Sequence, residues 1–134
     1  MTRPLIFMDP FPRNEAMVYT PDCAAALDQL GEVVTHWGAR APDEMVEAHL
    51  QRMTIIIGQT AMDRDRLDRA SNLRAILNVK ANWEPNIDYE ECHARGIHVL
   101  SAAPAMAPAV AEYCVAQAIV SLRGLGNADT LFRT

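Results

Sequence analysis

Residues 73–104 read LRAILNVKANWEPNIDYEECHARGIHVLSAAP, and this stretch decides the fold. Residues 74–79 are a short, mostly apolar run that suits a strand buried on both faces. Residues 88–95 read as a helix, with Asp88 placed as its N-cap and Gly96 as its C-terminal stop. Residues 97–100 return to an apolar, strand-like run. A strand, a loop, a helix and a second strand in this order predict parallel strands joined by a crossover.

Outward from this unit the same alternation continues. Residues 5–8 are a strand candidate, followed by the turn Asp9-Pro10-Phe11-Pro12. Residues 21–30 read as a helix stopped by Gly31, and residues 32–37 as a strand rich in Val and Thr. Residues 42–52 form a helix with Pro42 at its start and Asp43 and Glu44 in its first turn, where they complement the positive end of the helix dipole. Residues 54–57 are a uniformly apolar strand, as expected when helices cover both sheet faces. Residues 63–70 are a short charged helix. Five strands alternating with helices predict an α/β fold: a flavodoxin-like, doubly wound parallel sheet of order 2-1-3-4-5.

A long helix is expected over residues 107–123, broken by Gly124 and Gly126, with another helix starting at residues 127–133. Between residues 107 and 122 only Glu112, Gln117 and Ser121 are clearly polar. So narrow a polar stripe predicts burial nearly all round, between two domains or subunits or as a central core helix. The expected division is residues 1–104 as one domain and 105–134 as an interdomain helix leading into the next.

The bulk composition excludes several function classes. The net charge is −5, opposite to the basic patches that bind nucleic acid. Lys80 is the only lysine among twelve cationic side chains. Cys23, Cys92 and Cys114 are odd in number and widely spaced, so they form no disulfide framework and suit a reducing cytoplasm. The N-terminus has too short an apolar run for a signal peptide. Residues 102–122 come nearest to a membrane span, but Pro104, Pro108, Glu112 and Gln117 interrupt them, and the expectation is no membrane partner. His36, His49, His93 and His98 lack metal-site spacing.

The stretch from residue 73 to residue 123 resembles the D-isomer-specific 2-hydroxyacid dehydrogenase family. The resemblance rests on five landmarks in order: Asn86-Ile87-Asp88, Arg95-Gly96-Ile97, Pro104, Val110-Ala111-Glu112 and Arg123, the last two within VAEYCVAQAIVSLRGL. It implies a two-domain enzyme. A first, substrate-binding domain is joined by a long helix to a Rossmann domain holding NAD or NADP. Hydride passes between the nicotinamide and a small 2-hydroxy or 2-keto acid. The Arg, Glu and His that perform the chemistry lie in or after the Rossmann domain. This chain is therefore expected to be the substrate-binding part, to carry no catalytic residue, to hold no cofactor alone, and to form a homodimer through the 107–123 helix.

The resemblance also points to site residues. In the family, a Gly-rich loop after the fourth strand offers backbone N–H groups to the substrate carboxylate. The matching positions here are Val79, Lys80, Ala81 and Asn82, where Lys80 and Asn82 replace glycines. Lys80 is then a candidate point charge for a carboxylate, against a plain surface lysine. Gln59 and Thr60 after the third strand, and Asp9 and Phe11 after the first, reach the same sheet edge, where such folds bind ligands. Ala81 and Cys114 are the candidate cofactor contacts; the alternative for Cys114 is packing. Trp37 and Trp83 read as packing anchors. Gly124-Leu125-Gly126 lacks the third glycine of a dinucleotide fingerprint and follows a helix rather than a strand, so it reads as a helix break.

A competing reading is a standalone, non-catalytic α/β module that binds a small anion or a protein. A phosphate-receiving signalling domain needs an acidic pair after the first strand and an Asp after the third; this chain has Asp9 alone and then Gly58-Gln59-Thr60. A flavodoxin phosphate loop is excluded because Pro10 and Pro12 lack N–H donors.

Overall fold

The structure, a computed structural model, describes residues 3–133. Its elements in chain order are β1 (Leu5–Asp9), α1 (Glu15–Val18), α2 (Pro21–Leu30), β2 (Glu32–Thr35), α3 (Asp43–His49), β3 (Met53–Gly58), α4 (Arg64–Arg69), β4 (Ala75–Asn78), α5 (Tyr89–Ala94), β5 (His98–Ser101), α6 (Ala103–Leu122) and α7 (Leu125–Arg133). The strands form one sheet of order β2-β1-β3-β4-β5, and every pairing is parallel. The fold predicted from the alternation is the one observed. By contact the chain divides into two units, Met1–Ala102 and Ala103–Thr134.

Local chemistry sets the ends of the helices. Thr20 caps α2, accepting from the Cys23 N–H at 3.4 Å, with Pro21 in the first helical position. Asp63 caps α4 through the Arg66 N–H at 2.9 Å. Asp88 caps α5 through the Glu91 N–H at 3.0 Å. Gly96, at φ +70°, closes α5 in a left-handed turn, and the Ile97 N–H reaches back to the Cys92 carbonyl at 2.8 Å.

The two sheet faces differ. Phe7 lies beside Val34 and Ile56, Ile56 beside Ile76, and Ile76 beside Val99. This row packs with Val46 and Leu50, Leu67, and Cys92 from the α3, α4 and α5 segments into one core. Each side chain of this kind contributes about 1.5–3 kcal/mol when fully buried. The alternate row runs Met8, Ile57, Leu77, Leu100. It is sealed at Met8, half-buried at Ile57 and Leu77, and open at Leu100, which is 54% exposed. The expectation that both faces are covered therefore holds for the core face and fails toward β5.

Gly58 has φ +149°. A Cβ there would meet the Asp9 carbonyl oxygen at 2.0 Å. Only glycine lets β3 end this close to β1, and the Gln59 N–H then bonds the Asp9 carbonyl at 2.9 Å.

Several local expectations need correction. The short α1 went unread because four residues carry no periodic signal; Asn14 caps it through the Met17 N–H. β2 stops at Thr35 rather than Trp37. α6 begins at Ala103, four residues early, so Pro104 sits in its first turn, where no helical N–H is required, and Pro108 lies inside it. Gly124, at φ +58°, does break α6, but Gly126 lies within α7. No residue of α6 is buried in this chain: Val110 is 54% and Ile119 52% exposed. A core-helix role is therefore absent in this chain. Cys114 is exposed, not packed. Trp83 is 64% exposed, its ring edge-on to Tyr89 at 5.0 Å. α6 is also long and apolar enough to cross a membrane, with a mean hydropathy of 1.4, despite the interruptions at Pro104, Pro108, Glu112 and Gln117.

Candidate functional site

The buried polar residues mark one place. Among the described residues, Asp9, Gln59, Thr60 and Asn78 are the buried polar or charged ones. They stand at or just past the carboxyl ends of β1, β3 and β4, which are adjacent in the sheet. Burying polar groups costs free energy unless they find partners, so their concentration at one sheet edge marks built structure rather than chance.

Their bonds tie the edge together. Asp9 accepts from the Ala41 N–H at 3.0 Å and from the Thr60 hydroxyl at 3.3 Å. The carboxylate thus joins the segment before α3 to the segment after β3. The Gln59 side-chain amide donates to Asn78 Oδ1, which also accepts the Lys80 N–H at 3.0 Å. Asn78 Nδ2 donates to the Asn82 carbonyl at 3.3 Å. Asn78 therefore pins both ends of the loop that follows it. Asn86 Nδ2 donates to the Gln59 carbonyl at 3.1 Å and the Thr60 carbonyl at 3.4 Å. Beside it, Met62 and Ile87 form a parallel bridge. Two buried acceptors, Gln59 Oε1 and Asn86 Oδ1, have no partner among the described residues.

The loop itself is residues 79–84. The Val79 carbonyl accepts from Arg13 Nη1 at 2.8 Å. Lys80 Nζ is bonded to Glu84 Oε1 at 2.6 Å, so its charge already has a partner. Ala81 and Asn82 are exposed. Their N–H groups donate to no acceptor among the described residues. No residue other than glycine has positive φ, so the side chains of Lys80 and Asn82 stand where glycines were expected without backbone strain. Arg40, which sequence reading did not single out, donates to the Gln59 carbonyl at 3.0 Å and lies 3.9 Å from Glu84 Oε2. Arg13 was also missed. Neither sits in a motif; the topology alone carries them to this edge.

The sequence candidates thus divide. Gln59, Thr60 and Asp9 join Asn78 in the buried set, and Val79, Lys80, Ala81 and Asn82 form the loop above it. Phe11 is half-buried nearby in sequence. Cys114 lies on α6, in the second unit. The chemistry available is recognition: free N–H groups and nearby cations suit an acid. A cavity of about 70 Å³ lined by Asp9, Arg40, Gln59 and Thr60 lies at the same edge, too small for more than water. A groove of about 720 Å³ lies between α1 and α2, but its charged lining is Glu15 and Asp28, which would repel an acid. A dinucleotide does not fit the residues around Gly124: they join two helices, whereas its phosphates need a strand leading into a Gly-rich turn. No group of three or more potential metal ligands occurs among the described residues.

Known proteins share this architecture. A phosphoglycerate oxidoreductase from Rhizobium etli is 34% identical, with a TM-score of 0.75 over 98% of this chain and 40% of its own. The PH0520 protein from Pyrococcus horikoshii OT3 is 25% identical, with a TM-score of 0.71 over 98% of this chain and 37% of its own. The D-lactate dehydrogenase of Aquifex aeolicus, solved with NAD and lactic acid, shares the fold at 19% identity and a TM-score of 0.57, over 87% of this chain and 33% of its own. The chain spans about two fifths of the length of the first two structures. No curated protein sequence matches it. The family described as "D-isomer specific 2-hydroxyacid dehydrogenase, catalytic domain" matches residues 13–130, so the chain belongs to the D-isomer-specific 2-hydroxyacid dehydrogenase family.

Proposed function

We propose that this chain supplies the substrate-holding part of an NAD(P)-dependent oxidoreductase acting on the CH–OH group of a small 2-hydroxy acid. The Ala81 and Asn82 N–H groups receive the substrate carboxylate, with Gln59 and Asn78 fixing the loop from below. Hydride transfer depends on residues and a cofactor that this chain does not hold, and the chain alone does not turn over substrate. The exposed apolar face of α6 is covered by a second copy. The observation that carries the reading is the pair of N–H groups without an acceptor among the described residues, in a loop tied by Asn78 to the buried polar side chains at this sheet edge.

The test is a titration of the isotope-labelled chain with D-lactate, followed by amide NMR. Shifts should concentrate at residues 78–84. Uniform small shifts, or none at Ala81 and Asn82, would remove the reading, and NAD-dependent oxidation by the chain alone would remove the claim of inactivity.

A further inference from the structure

Glu84 is held between two cations at the mouth of the substrate loop. Its Oε1 accepts from Lys80 Nζ at 2.6 Å, and its Oε2 lies 3.9 Å from Arg40 Nη2. Its backbone is fixed too, since the Tyr89 hydroxyl donates to the Glu84 carbonyl at 2.6 Å. Arg40 is anchored in turn on the Gln59 carbonyl, and Arg13 on the Val79 carbonyl. Three cationic side chains therefore gather around this loop in a chain whose net charge is −5. Among the described residues Glu84 is the one carboxylate paired with any of them; Asp9 is buried, its oxygens engaged by Ala41 and Thr60.

Arg40, anchored on the Gln59 carbonyl, and Lys80, whose ammonium rests on Glu84 itself, share one carboxylate, so an acid group already fills the place that a second one would take. A 2-hydroxy acid whose own carboxylate sits on the Ala81 and Asn82 N–H groups leaves Lys80 and Arg40 for whatever its far end carries. An uncharged far end gains nothing by displacing Glu84. A second anionic group does, because it exchanges one ion pair for another and accepts hydrogen bonds from the same donors, Arg40 among them already anchored. We infer that Lys80 and Arg40 form a specificity-determining subsite for 2-hydroxy acids bearing a second anionic group, carboxylate or phosphate, and that Glu84 is the built-in counterion such a group displaces. This inference rests on the proposed function of the loop and adds the substrate class to it.

The experiment compares the parent chain with Glu84→Gln, using D-lactate, D-malate and D-3-phosphoglycerate as probes followed through the amides of residues 78–84. Gln keeps the shape and leaves the bond from Tyr89 to the backbone intact. With the competing carboxylate gone, D-malate, D-3-phosphoglycerate or both bind about three- to fivefold tighter, the upper scale of one partly exposed ion pair, while D-lactate changes less than twofold. A gain for malate alone makes the second group a carboxylate; a gain for phosphoglycerate alone makes it a phosphate. Adding Lys80→Met to Glu84→Gln returns the doubly charged probes to parent affinity. Equal gains for all three probes, or no gain for either doubly charged one, overturn the inference while leaving the loop reading intact. If D-lactate moves no amide in the loop of the parent chain, the loop reading fails and the inference with it.

Discussion

Replacing Asn78 with Ala tests how the site's floor is built. Asn78 is 3% exposed and Gln59 is fully buried. The Asn78→Ala substitution removes the acceptor of both the Gln59 amide and the Lys80 N–H, and the donor to the Asn82 carbonyl. Each lost bond is worth about 1 kcal/mol net, and a buried donor left without a partner costs about 1–3 kcal/mol. Lys80 is half-buried, so its N–H can turn to water. Gln59 cannot: its Oε1 already lacks a partner, and the substitution orphans its nitrogen as well. The expected loss is about 3–4 kcal/mol, a large part of the ~5–15 kcal/mol that holds a domain together. Gln59→Met, of similar shape, behaves differently. It deletes an unsatisfied acceptor along with one bond, while Asn78 Oδ1 keeps the Lys80 N–H. Its cost is about 1 kcal/mol or less.

The double variant decides the matter. With Met at 59 no amide is left to be orphaned, so Asn78→Ala on that background costs about 1–2 kcal/mol, and the coupling energy is about 2 kcal/mol. Urea unfolding of the four proteins, followed by far-ultraviolet circular dichroism, measures each difference as a midpoint shift at constant slope. If the two substitutions add within about 0.5 kcal/mol, the buried amide pair is not the unit proposed here.

Two further predictions concern the surface. Hydrogen bonds from Arg69 and then Arg66 hold the Glu47 carboxyl below its ordinary value of 4.5, and Arg66 also bonds Asp43, so these pairs clamp α3 to α4. A depressed folded pKa gives stability that is present above about pH 4.5 and lost as pH falls through the folded value. Glu47→Gln should therefore lower the urea midpoint modestly at pH 7, since the pair is solvent-screened, and by less near pH 3; a gap that does not narrow refutes the assignment. The exposed Val110, Ile119 and Leu122 of α6 should make the chain self-associate, and Ile119→Glu should weaken that; a parent chain that sediments as a monomer at high concentration overturns it.

The sheet was legible because its signals are local. The apolar runs at 5–8, 54–57 and 97–100, punctuated by Asp88, Gly96 and Gly31, specify strands and helix ends within a few residues of their own positions. Gly58 was harder. Its role depends on the Asp9 backbone, about fifty residues away in sequence, and nothing around it signals a positive φ. α6 was legible only in part, for a related reason. An apolar composition says that a surface needs cover, but the identity of the cover lies outside the helix, and in this chain the surface stays exposed.

The site divides along the same line. Gln59, Thr60 and the loop at 79–82 follow strand ends, so their placement follows from the sheet order. Arg13 and Arg40 lie in stretches without motif or period, and only the topology brings them beside Val79, Gln59 and Glu84. Replacing glycines with Lys80 and Asn82 would disturb a loop that needed left-handed backbone or close approach. No residue of the loop has positive φ. What the loop needs instead is restraint, and Asn78 provides it, gripping the Lys80 N–H at one side and the Asn82 carbonyl at the other. The two N–H groups between those grips, Ala81 and Asn82, meet no acceptor among the described residues. A loop held from beneath by a buried amide can present donors to an acid as a Gly-rich one does, and it keeps two side-chain positions, Lys80 among them, free to choose which acid.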